Sequence, residues 1–280
     1  MRLGVFARTF DGDKPCGVLS AAVAAGFQTV QYNMICSGLP AMPDDIPDDV
    51  ALAVRAAAEK AGVEIVAVSG TYNMIHPDLA MRRRGLDRLE ALARASGKLS
   101  TKVITLCTGT RDLHDQWRAH PDNNGPEAWS DLLASMERAV QIAERHDVFL
   151  GVEPELANVV NSAGKAERLI REIGSPRVKI VLDPANLFES ASLSEQRRIV
   201  AEAIDLLADR IIIGHAKDRD ASGRFTAAGG GVLDYPYYLR RLTSVGFDGP
   251  LVAHGLAARE AAGVASFLRR TLGEVGEDAT

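Results

Sequence analysis

Two carboxylates and two imidazoles stand at matching places in the second half of this chain, each at or near the end of an apolar run. Glu153 ends "VFLGVE", Asp183 ends "VKIVLD", His215 lies in "RIIIGHA" and His254 ends "PLVAH". A carboxylate in a protein interior needs a partner or a metal ion to offset the loss of its hydration. If the four runs are neighbouring strands of one sheet, about 4.8 Å apart, the four side chains can converge on one ion. The pattern therefore predicts a metal site.

Each of these residues also has an ordinary structural explanation when it is taken alone. Glu153 could be a charge close to a helix, Asp183 could be a turn residue before Pro184, and either histidine could be a hydrogen-bonded residue of the core. Four such coincidences on four successive runs are harder to explain without a shared role. The metal site is therefore the favoured interpretation, with His215 and His254 as its two imidazole ligands.

The elements that must position these residues alternate along the whole chain. Short apolar runs rich in β-branched residues predict strands, and longer stretches of helical period lie between them. The predicted strands cover residues 2–7, 27–32, 63–70, 102–107, 148–153, 178–183, 210–216 and 250–254. The predicted helices include residues 48–62, 78–97, 126–146, 163–174 and 194–209. Continuous apolar runs of this kind are typical of parallel strands that helices cover on both faces.

These units predict an α/β fold, a single-domain (β/α)8 TIM barrel over residues 1–280 in which residues 273–280 form a frayed tail. An open doubly wound sheet is the alternative, but no Gly-x-Gly-x-x-Gly motif follows the first strand. Gly62, Gly97 and Gly174 each follow a predicted helix, where a left-handed capping residue is common. In a TIM barrel, polar residues at the carboxyl ends of the strands face the active site.

The composition narrows the classes of function. The net charge is −5, the isoelectric point is about 5.7 and no extended basic block stands out, so a nucleic-acid partner is not expected. No stretch approaches the roughly 20 apolar residues of a membrane helix, and the amino terminus does not resemble a signal peptide. Three cysteines at unrelated spacings argue against a disulfide framework. The sequence therefore predicts a cytoplasmic protein without membrane attachment.

Three short segments carry a resemblance to a known family. "GVEPE" (151–155), "VLDPAN" (181–186) and "IGHAKD" (213–218) resemble signatures of the xylose isomerase-like TIM-barrel proteins, the sugar phosphate isomerase/epimerase group, and the resemblance extends along the chain. It implies one divalent metal ion (Mn²⁺, Co²⁺, Zn²⁺ or Mg²⁺), held by Glu, Asp, His and a second Glu from the fifth to the eighth strands. Glu153, Asp183 and His215 match the first three ligands. The implied substrate is a small-molecule sugar or keto-sugar, and a homodimer is compatible with the resemblance.

The chain departs from the family pattern at two positions. His254 stands where the epimerases have the fourth ligand, a glutamate, and Asn186 stands where they have a histidine that contacts substrate. Imidazole is also a good metal ligand, so His254 is predicted as the fourth ligand. The change removes one of the two carboxylates that exchange a proton with the substrate in those epimerases. Proton transfer on one side of the substrate is therefore expected.

The resemblance favours a metal-dependent isomerase or epimerase of a small sugar or keto-sugar, which would work by proton abstraction and an ene-diolate. Glu153 is the first candidate for the base and Glu155 is the second, although Glu155 could equally lie at the rim. A lyase, dehydratase or hydratase acting on a keto-sugar or keto-inositol at the same metal site is the alternative. A non-catalytic sugar-binding protein and a nuclease are less favoured, and the net charge of −5 counts against the nuclease.

Several polar or aromatic residues in the loops after the strands are candidates for substrate binding. They are Asn73, His76, Arg111, Trp117, Asn186 and Lys217. Arg111 could instead be a surface charge, Trp117 could pack against another subunit, and Lys217 could pair with Asp218. The sequence does not identify the sugar.

A glycine-rich segment, "TAAGGGVLDYPYYL" (226–239), bears on whether the substrate carries a phosphate. Three glycines before Asp234 could form a nest of backbone N–H groups for a phosphate. The favoured interpretation is a loop in which Asp234 caps the following helix.

Overall fold

Parallel strands form a closed eight-stranded barrel in the computed structural model, which describes residues 1–277. Each barrel strand pairs with the next, and the last one closes the ring between the seventh and the first. One further short strand lies outside the barrel and pairs antiparallel with the end of the seventh. In chain order the strands are β1 (Arg2–Phe6), β2 (Thr29–Tyr32), β3 (Glu64–Ser69), β4 (Val103–Cys107), β5 (Phe149–Glu153), β6 (Val178–Leu182), β7 (Ile211–Arg219), β8 (Phe225–Ala227) and β9 (Pro250–Ala253).

Helices alternate with the barrel strands and cover the outside of the barrel. Within residues 1–277 they are α1 (Pro15–Ala24), α2 (Asp48–Ala61), α3 (Leu79–Ser96), α4 (Pro126–Arg145), α5 (Ala163–Ile173), α6 (Leu193–Leu207), α7 (Tyr235–Ser244) and α8 (Ala261–Glu277). This arrangement confirms the predicted single-domain (β/α)8 barrel. It also brings the carboxyl ends of all eight barrel strands to one face of the molecule.

Apolar side chains fill the inside of the barrel. Residues from five different strands form a cluster that is separate from the apolar layer between strands and helices, namely Val66, Val103, Val181, Ile213 and Val252. The packing is close, because a Cβ atom on Gly151 of β5 would lie 2.9 Å from Cγ2 of Val181. The interior of the barrel is therefore a packed core, and a ligand of the barrel would bind beyond the strand ends.

The predicted glycine caps are confirmed at two helices and wrong at a third. Gly62 and Gly174 adopt left-handed φ angles of 71° and 67° at the ends of α2 and α5. Gly97 keeps a right-handed φ of −63° after α3. The residues after Gly97 continue in turn conformation, and the residue with a positive φ is Ser100 (59°) and not Gly97.

The carboxyl-terminal helix is longer than the sequence predicts. α8 continues to Glu277, so residues 273–277 are helical, and the rest of the predicted frayed tail, residues 278–280, lies outside the described residues. None of the helices in the described part of the chain combines the length and apolar character that crossing a membrane requires.

The glycine-rich segment folds around an aspartate of the chain itself. β7 runs past its predicted end at residue 216 because its last residues pair with β8, and this hairpin places Asp218 beneath the segment. The N–H groups of Gly229 and Gly231 donate to Oδ2 of Asp218 at 3.2 and 3.1 Å, and that of Leu233 donates to Oδ1 at 3.0 Å. The backbone N–H groups that were considered as a phosphate site therefore bind a carboxylate of the protein.

Asp234 behaves as the sequence predicts. Its side chain accepts a hydrogen bond from the N–H of Tyr237 at 3.0 Å and so caps the start of α7. Arg197 of α6 holds the same carboxylate at 2.6 Å, which ties the two helices together.

Candidate metal centre and substrate cavity

The carboxyl ends of the barrel strands open into a cavity of about 440 Å³. This volume falls within the range of small-molecule sites, about 300–1,000 Å³. The lining side chains include Gln31, Ser69, Thr105, Trp117, Glu153, Glu155, Asn186, Lys217 and His254. Polar groups from most of the barrel strands thus surround one space.

Glu153, Asp183 and His215 meet beside this cavity. Glu153 ends β5, Asp183 directly follows β6 and His215 lies in β7, so three adjacent strands bring them together. One ligand atom of each lies within 4.8 Å of the others, and this is the one such group of three or more in residues 1–277. Nδ1 of His215 is 3.3 Å from Oε1 of Glu153 and 3.9 Å from Oδ2 of Asp183. Two carboxylates and an imidazole are a suitable donor set for a divalent ion.

Lys217 balances the buried carboxylate of Asp183. The side chain of Asp183 is fully buried, and Oδ1 accepts a hydrogen bond from the N–H of Ala185 at 2.9 Å. Nζ of Lys217 lies 3.1 Å from Oδ2, which makes no well-aligned hydrogen bond among the described residues. Oδ2 is therefore paired by charge and can still accept another partner. With Glu153 and His215, this carboxylate fits a divalent cation.

Gln31 of β2, which was not among the residues predicted from the sequence, orients His215. Oε1 of Gln31 lies 3.0 Å from Nε2 of His215, while the amide nitrogen donates to the hydroxyls of Ser69 at 3.2 Å and Thr105 at 3.3 Å. Because the amide nitrogen is used as a donor, Oε1 accepts the proton of Nε2, and Nδ1 faces the two carboxylates. The sequence signal that could have identified Gln31 is its position inside the apolar run "FQTVQY". The structure shows that this glutamine is buried.

Asn186 and Lys217 hold the two carboxylates in place. The amide nitrogen of Asn186 donates to Oε1 of Glu153 at 2.8 Å, and its Oδ1 accepts from Nζ of Lys217 at 2.8 Å. Lys217 pairs with Asp183 of the site, not with Asp218, which was the alternative considered from the sequence. Both Asn186 and Lys217 also line the cavity, where a substrate could reach them.

His254, predicted as the fourth ligand, lies beside the three-residue group and not within it. Its ring is 2° from parallel to that of His215, with 5.4 Å between centroids, and 5.1 Å from the ring of Phe6. Imidazole lone pairs lie in the ring plane, so two stacked rings do not aim at one point. Burial, with the nearby charges of His215 and Lys217, lowers the pKa of His254 to about 4. Its Nδ1 is buried without a hydrogen-bond partner in the described part of the chain.

The two glutamates of "GVEPE" have very different environments. Burial raises the pKa of Glu153, but the charges of His215 and Lys217 outweigh burial and bring it down to about 2. Burial raises the pKa of Glu155 to about 7; Lys217 opposes this shift, and the carboxylates of Glu153 and Asp183 add to it. Glu153 is therefore ionised at neutral pH, while Glu155 can accept and release a proton near neutral pH.

Trp117 lines the cavity as predicted, whereas Arg111 has a structural role outside it. The side chain of Trp117 is 53% exposed at the cavity rim. The guanidinium of Arg111 is paired with Asp131 of α4 at 2.6 Å and donates to the carbonyl of Ile75 at 3.1 Å. Its donors are committed to the protein.

Asn73 and His76 also stabilise loops and do not line this cavity. Nδ2 of Asn73 donates to the carbonyl of Thr110 at 2.8 Å, which joins the loops after β3 and β4. Nδ1 of His76 accepts from the N–H of Asp78 at 3.0 Å, and its Nε2 lies 3.2 Å from the carbonyl of Leu113. Both residues border a second cavity on the same face.

Comparisons with known proteins agree with this architecture. The family model described as xylose isomerase-like TIM barrel matches residues 19–270, while no curated protein matches the chain. The fold is similar to that of the 3-keto-D-glucoside 4-epimerase YcjR from E. coli (TM-score 0.75, 18% identity, covering 96% of this chain and 99% of that one). It is also similar to that of L-ribulose 3-epimerase (TM-score 0.78, 17% identity, covering 99% of this chain and 96% of that one). A third similar structure is the IolI protein with a zinc atom (TM-score 0.73, 15% identity, covering 98% of this chain and 99% of that one). At these identities the likeness is one of fold.

Proposed function

The chain belongs to the xylose isomerase-like TIM-barrel family, and from that premise we propose that it is a divalent-metal-dependent isomerase or epimerase of a small sugar or keto-sugar. The observation that carries the proposal is the group of Glu153, Asp183 and His215 beside a cavity that Glu155 also lines. Two solved structures of similar fold are named as sugar epimerases, and a third is named with bound zinc, which supports both parts of the proposal.

Glu153, Asp183 and His215 would hold the metal ion. When bound, a divalent cation would neutralise the negative charge that develops on the oxygens of a keto-sugar as the neighbouring proton leaves. Gln31 keeps Nδ1 of His215 directed at the carboxylates, and Asn186 orients Glu153 through its 2.8 Å hydrogen bond. Such outer contacts orient ligands before substrate arrives.

Glu155 is the residue that we propose as the base, in preference to Glu153. Both glutamates line the cavity, but Oε1 of Glu153 already accepts from Asn186 and faces His215, and Glu153 would be occupied by the metal ion. A base works best when its pKa lies close to the working pH, and that of Glu155 is about 7. Lys217, which also lines the cavity, would donate a hydrogen bond to a substrate oxygen.

A lyase or dehydratase acting on a keto-sugar or keto-inositol is the second candidate, and His254 is the observation that favours it. This residue stands where the epimerases of the family have a second glutamate, and its pKa of about 4 keeps it uncharged at neutral pH. In a syn elimination of water, Glu155 could take the proton from carbon and return it to the hydroxyl that leaves from the same face, so that no second carboxylate is needed.

Exchange of solvent deuterium tests both candidates. Metal-loaded protein is incubated in D₂O with D-fructose, D-tagatose, L-ribulose or a keto-inositol, and the products are followed by NMR. An isomerase or epimerase incorporates deuterium next to the carbonyl and forms a new sugar, whereas a dehydratase forms a product that lacks water. Glu155→Gln should slow either reaction about 100-fold, and Glu202→Gln on the exposed side of α6 should not. Absence of exchange and of water loss across the panel would exclude both.

A further inference from the structure

A second cavity of about 480 Å³ adjoins the first. The two cavities share the lining residues Ala41, Thr71 and Gln116, which lie in the loops after β2, β3 and β4. Two of these side chains are small, and the third is a partly exposed amide that can change rotamer. The two cavities therefore border each other at these three residues, and the first cavity is lined by Glu153 of the metal group.

The second cavity suits a neutral ligand that has both apolar and polar surfaces. Met81 and Leu113 supply apolar lining. The two arginines in the lining are compensated, because Oδ1 of Asp44 is 2.7 Å from Nε of Arg88 and its other oxygen is 3.7 Å from Arg84. The lining therefore does not select for a phosphate or another strong anion.

Tyr72 gives the second cavity a fixed aromatic wall. Its ring is held firmly, because a Cβ atom on Gly85 of α3 would lie 2.1 Å from it. The residue is 8% exposed and its hydroxyl is fully buried, so a ligand in the cavity would contact the ring and not the hydroxyl. Such an aromatic surface suits the C–H face of an organic ligand.

We propose that the second cavity binds a second sugar ring, so that the preferred substrate is a keto-disaccharide or a similar keto-glycoside and not a free monosaccharide. The inference rests on the proposed function, since the second cavity would hold the part of the substrate that extends away from the metal group. Sugar rings present C–H faces and hydroxyls together, which matches Tyr72, Met81 and Leu113 on the one hand and the amide of Gln116 on the other. Binding energy from a remote ring can be used to position the reacting carbon.

Met81→Trp is designed to block the second cavity. Met81 lies on α3, is 48% exposed and lines only the second cavity, so the larger ring would occupy that space. Leu79→Trp is the matched control, because Leu79 is on the same helix, is 57% exposed and lines neither cavity. The probes are three keto-disaccharides, lactulose, turanose and isomaltulose, compared with D-fructose. Deuterium exchange gives kcat/KM, and saturation-transfer NMR gives binding without turnover.

We expect at least one keto-disaccharide to exceed D-fructose about tenfold in kcat/KM, and we expect that ratio to fall about tenfold in Met81→Trp but not in Leu79→Trp. Exchange with D-fructose at an equal or higher kcat/KM would overturn the inference and leave the proposed function standing. Disaccharide binding that depends on Met81 but never leads to exchange or water loss would support the second cavity and contradict the proposed function. Absence of both binding and exchange would overturn both.

Discussion

The imidazole rings of His215 and His254 lie 2° from parallel with 5.4 Å between their centroids. His215 lies within β7 and His254 directly follows β9, and the two rings have different surroundings. Gln31 holds His215 from behind so that Nδ1 faces Glu153 and Asp183. His254 packs against the face of that ring and keeps an unpartnered Nδ1.

Metal binding should therefore depend on His215 and Asp183 far more than on His254. Asp183→Asn and His215→Ala each remove a member of the three-residue group, and we expect both to abolish stoichiometric metal binding. His254→Ala should retain about one ion per chain. Bound metal is measured by mass spectrometry after dialysis, together with Zn²⁺ affinity in competition with a chelator. Loss of metal in His254→Ala as complete as in Asp183→Asn would make His254 a ligand.

Gln31→Met should weaken metal binding although Gln31 is not a ligand. Methionine is similar in length but cannot accept the Nε2 proton of His215, so the ring loses its fixed tautomer and orientation. We expect the dissociation constant for Zn²⁺ to rise about 10- to 100-fold. NMR of the ring nitrogens reports the tautomer directly. Ser69→Ala removes one acceptor of the Gln31 amide and serves as the milder control. An unchanged tautomer and an unchanged affinity in Gln31→Met would refute this role.

Asp218→Asn should destabilise the fold by about 3 kcal/mol. Asp218 is fully buried, and its carboxylate accepts hydrogen bonds from the backbone N–H groups of Gly229, Gly231 and Leu233. Asparagine has only one acceptor oxygen, and its NH₂ group would face some of these N–H donors. Urea denaturation measures the loss. Asp209→Asn, at an exposed position between α6 and β7, should stay within about 0.5 kcal/mol of the wild type. A stable Asp218→Asn variant would mean that the nest does not need this carboxylate.

Asp131→Asn should lower stability in a pH-dependent way. Burial alone would raise the pKa of Asp131, but Arg82 at 2.7 Å and Arg111 at 2.6 Å lower it overall. A carboxyl with a lowered folded-state pKa stabilises the fold above its unfolded-state pKa, about 3.9, and loses this contribution as the pH falls through the folded-state value. We therefore expect a loss of about 1–2 kcal/mol at pH 7, because the pair is only partly buried.

The difference between wild type and Asp131→Asn should shrink below about pH 4, where the wild-type carboxyl becomes protonated and resembles the amide. Denaturation at pH 7, 5 and 3.5 measures it, and Asp87→Asn on the exposed side of α3 is the control. A gap of equal size at every pH would show that packing, and not the ion pairs with Arg82 and Arg111, accounts for the effect.

Local pattern was enough to predict most of the secondary structure. The fifth strand was predicted over residues 148–153 and observed as Phe149–Glu153, and the helix predicted over residues 126–146 was observed as Pro126–Arg145. Apolar runs and helical periodicity are properties of consecutive residues, so they can be read without knowledge of the fold. The hairpin of β7 and β8 was missed because it depends on contacts with Asp218 and the glycine-rich segment.

For the site, the sequence by itself predicted that Glu153, Asp183 and His215 come together, because each stands at or near the end of an apolar run and a parallel barrel brings such runs together. The same reasoning predicted His254, which lies beside the group. Only the tertiary structure decided which other polar residues face the cavity. Arg111 and His76 are engaged by partners in the protein, and Gln31 reaches His215 across 184 residues of chain. Side-chain direction and hydrogen-bond partners are set by packing between distant segments, and so composition, spacing and periodicity do not contain them.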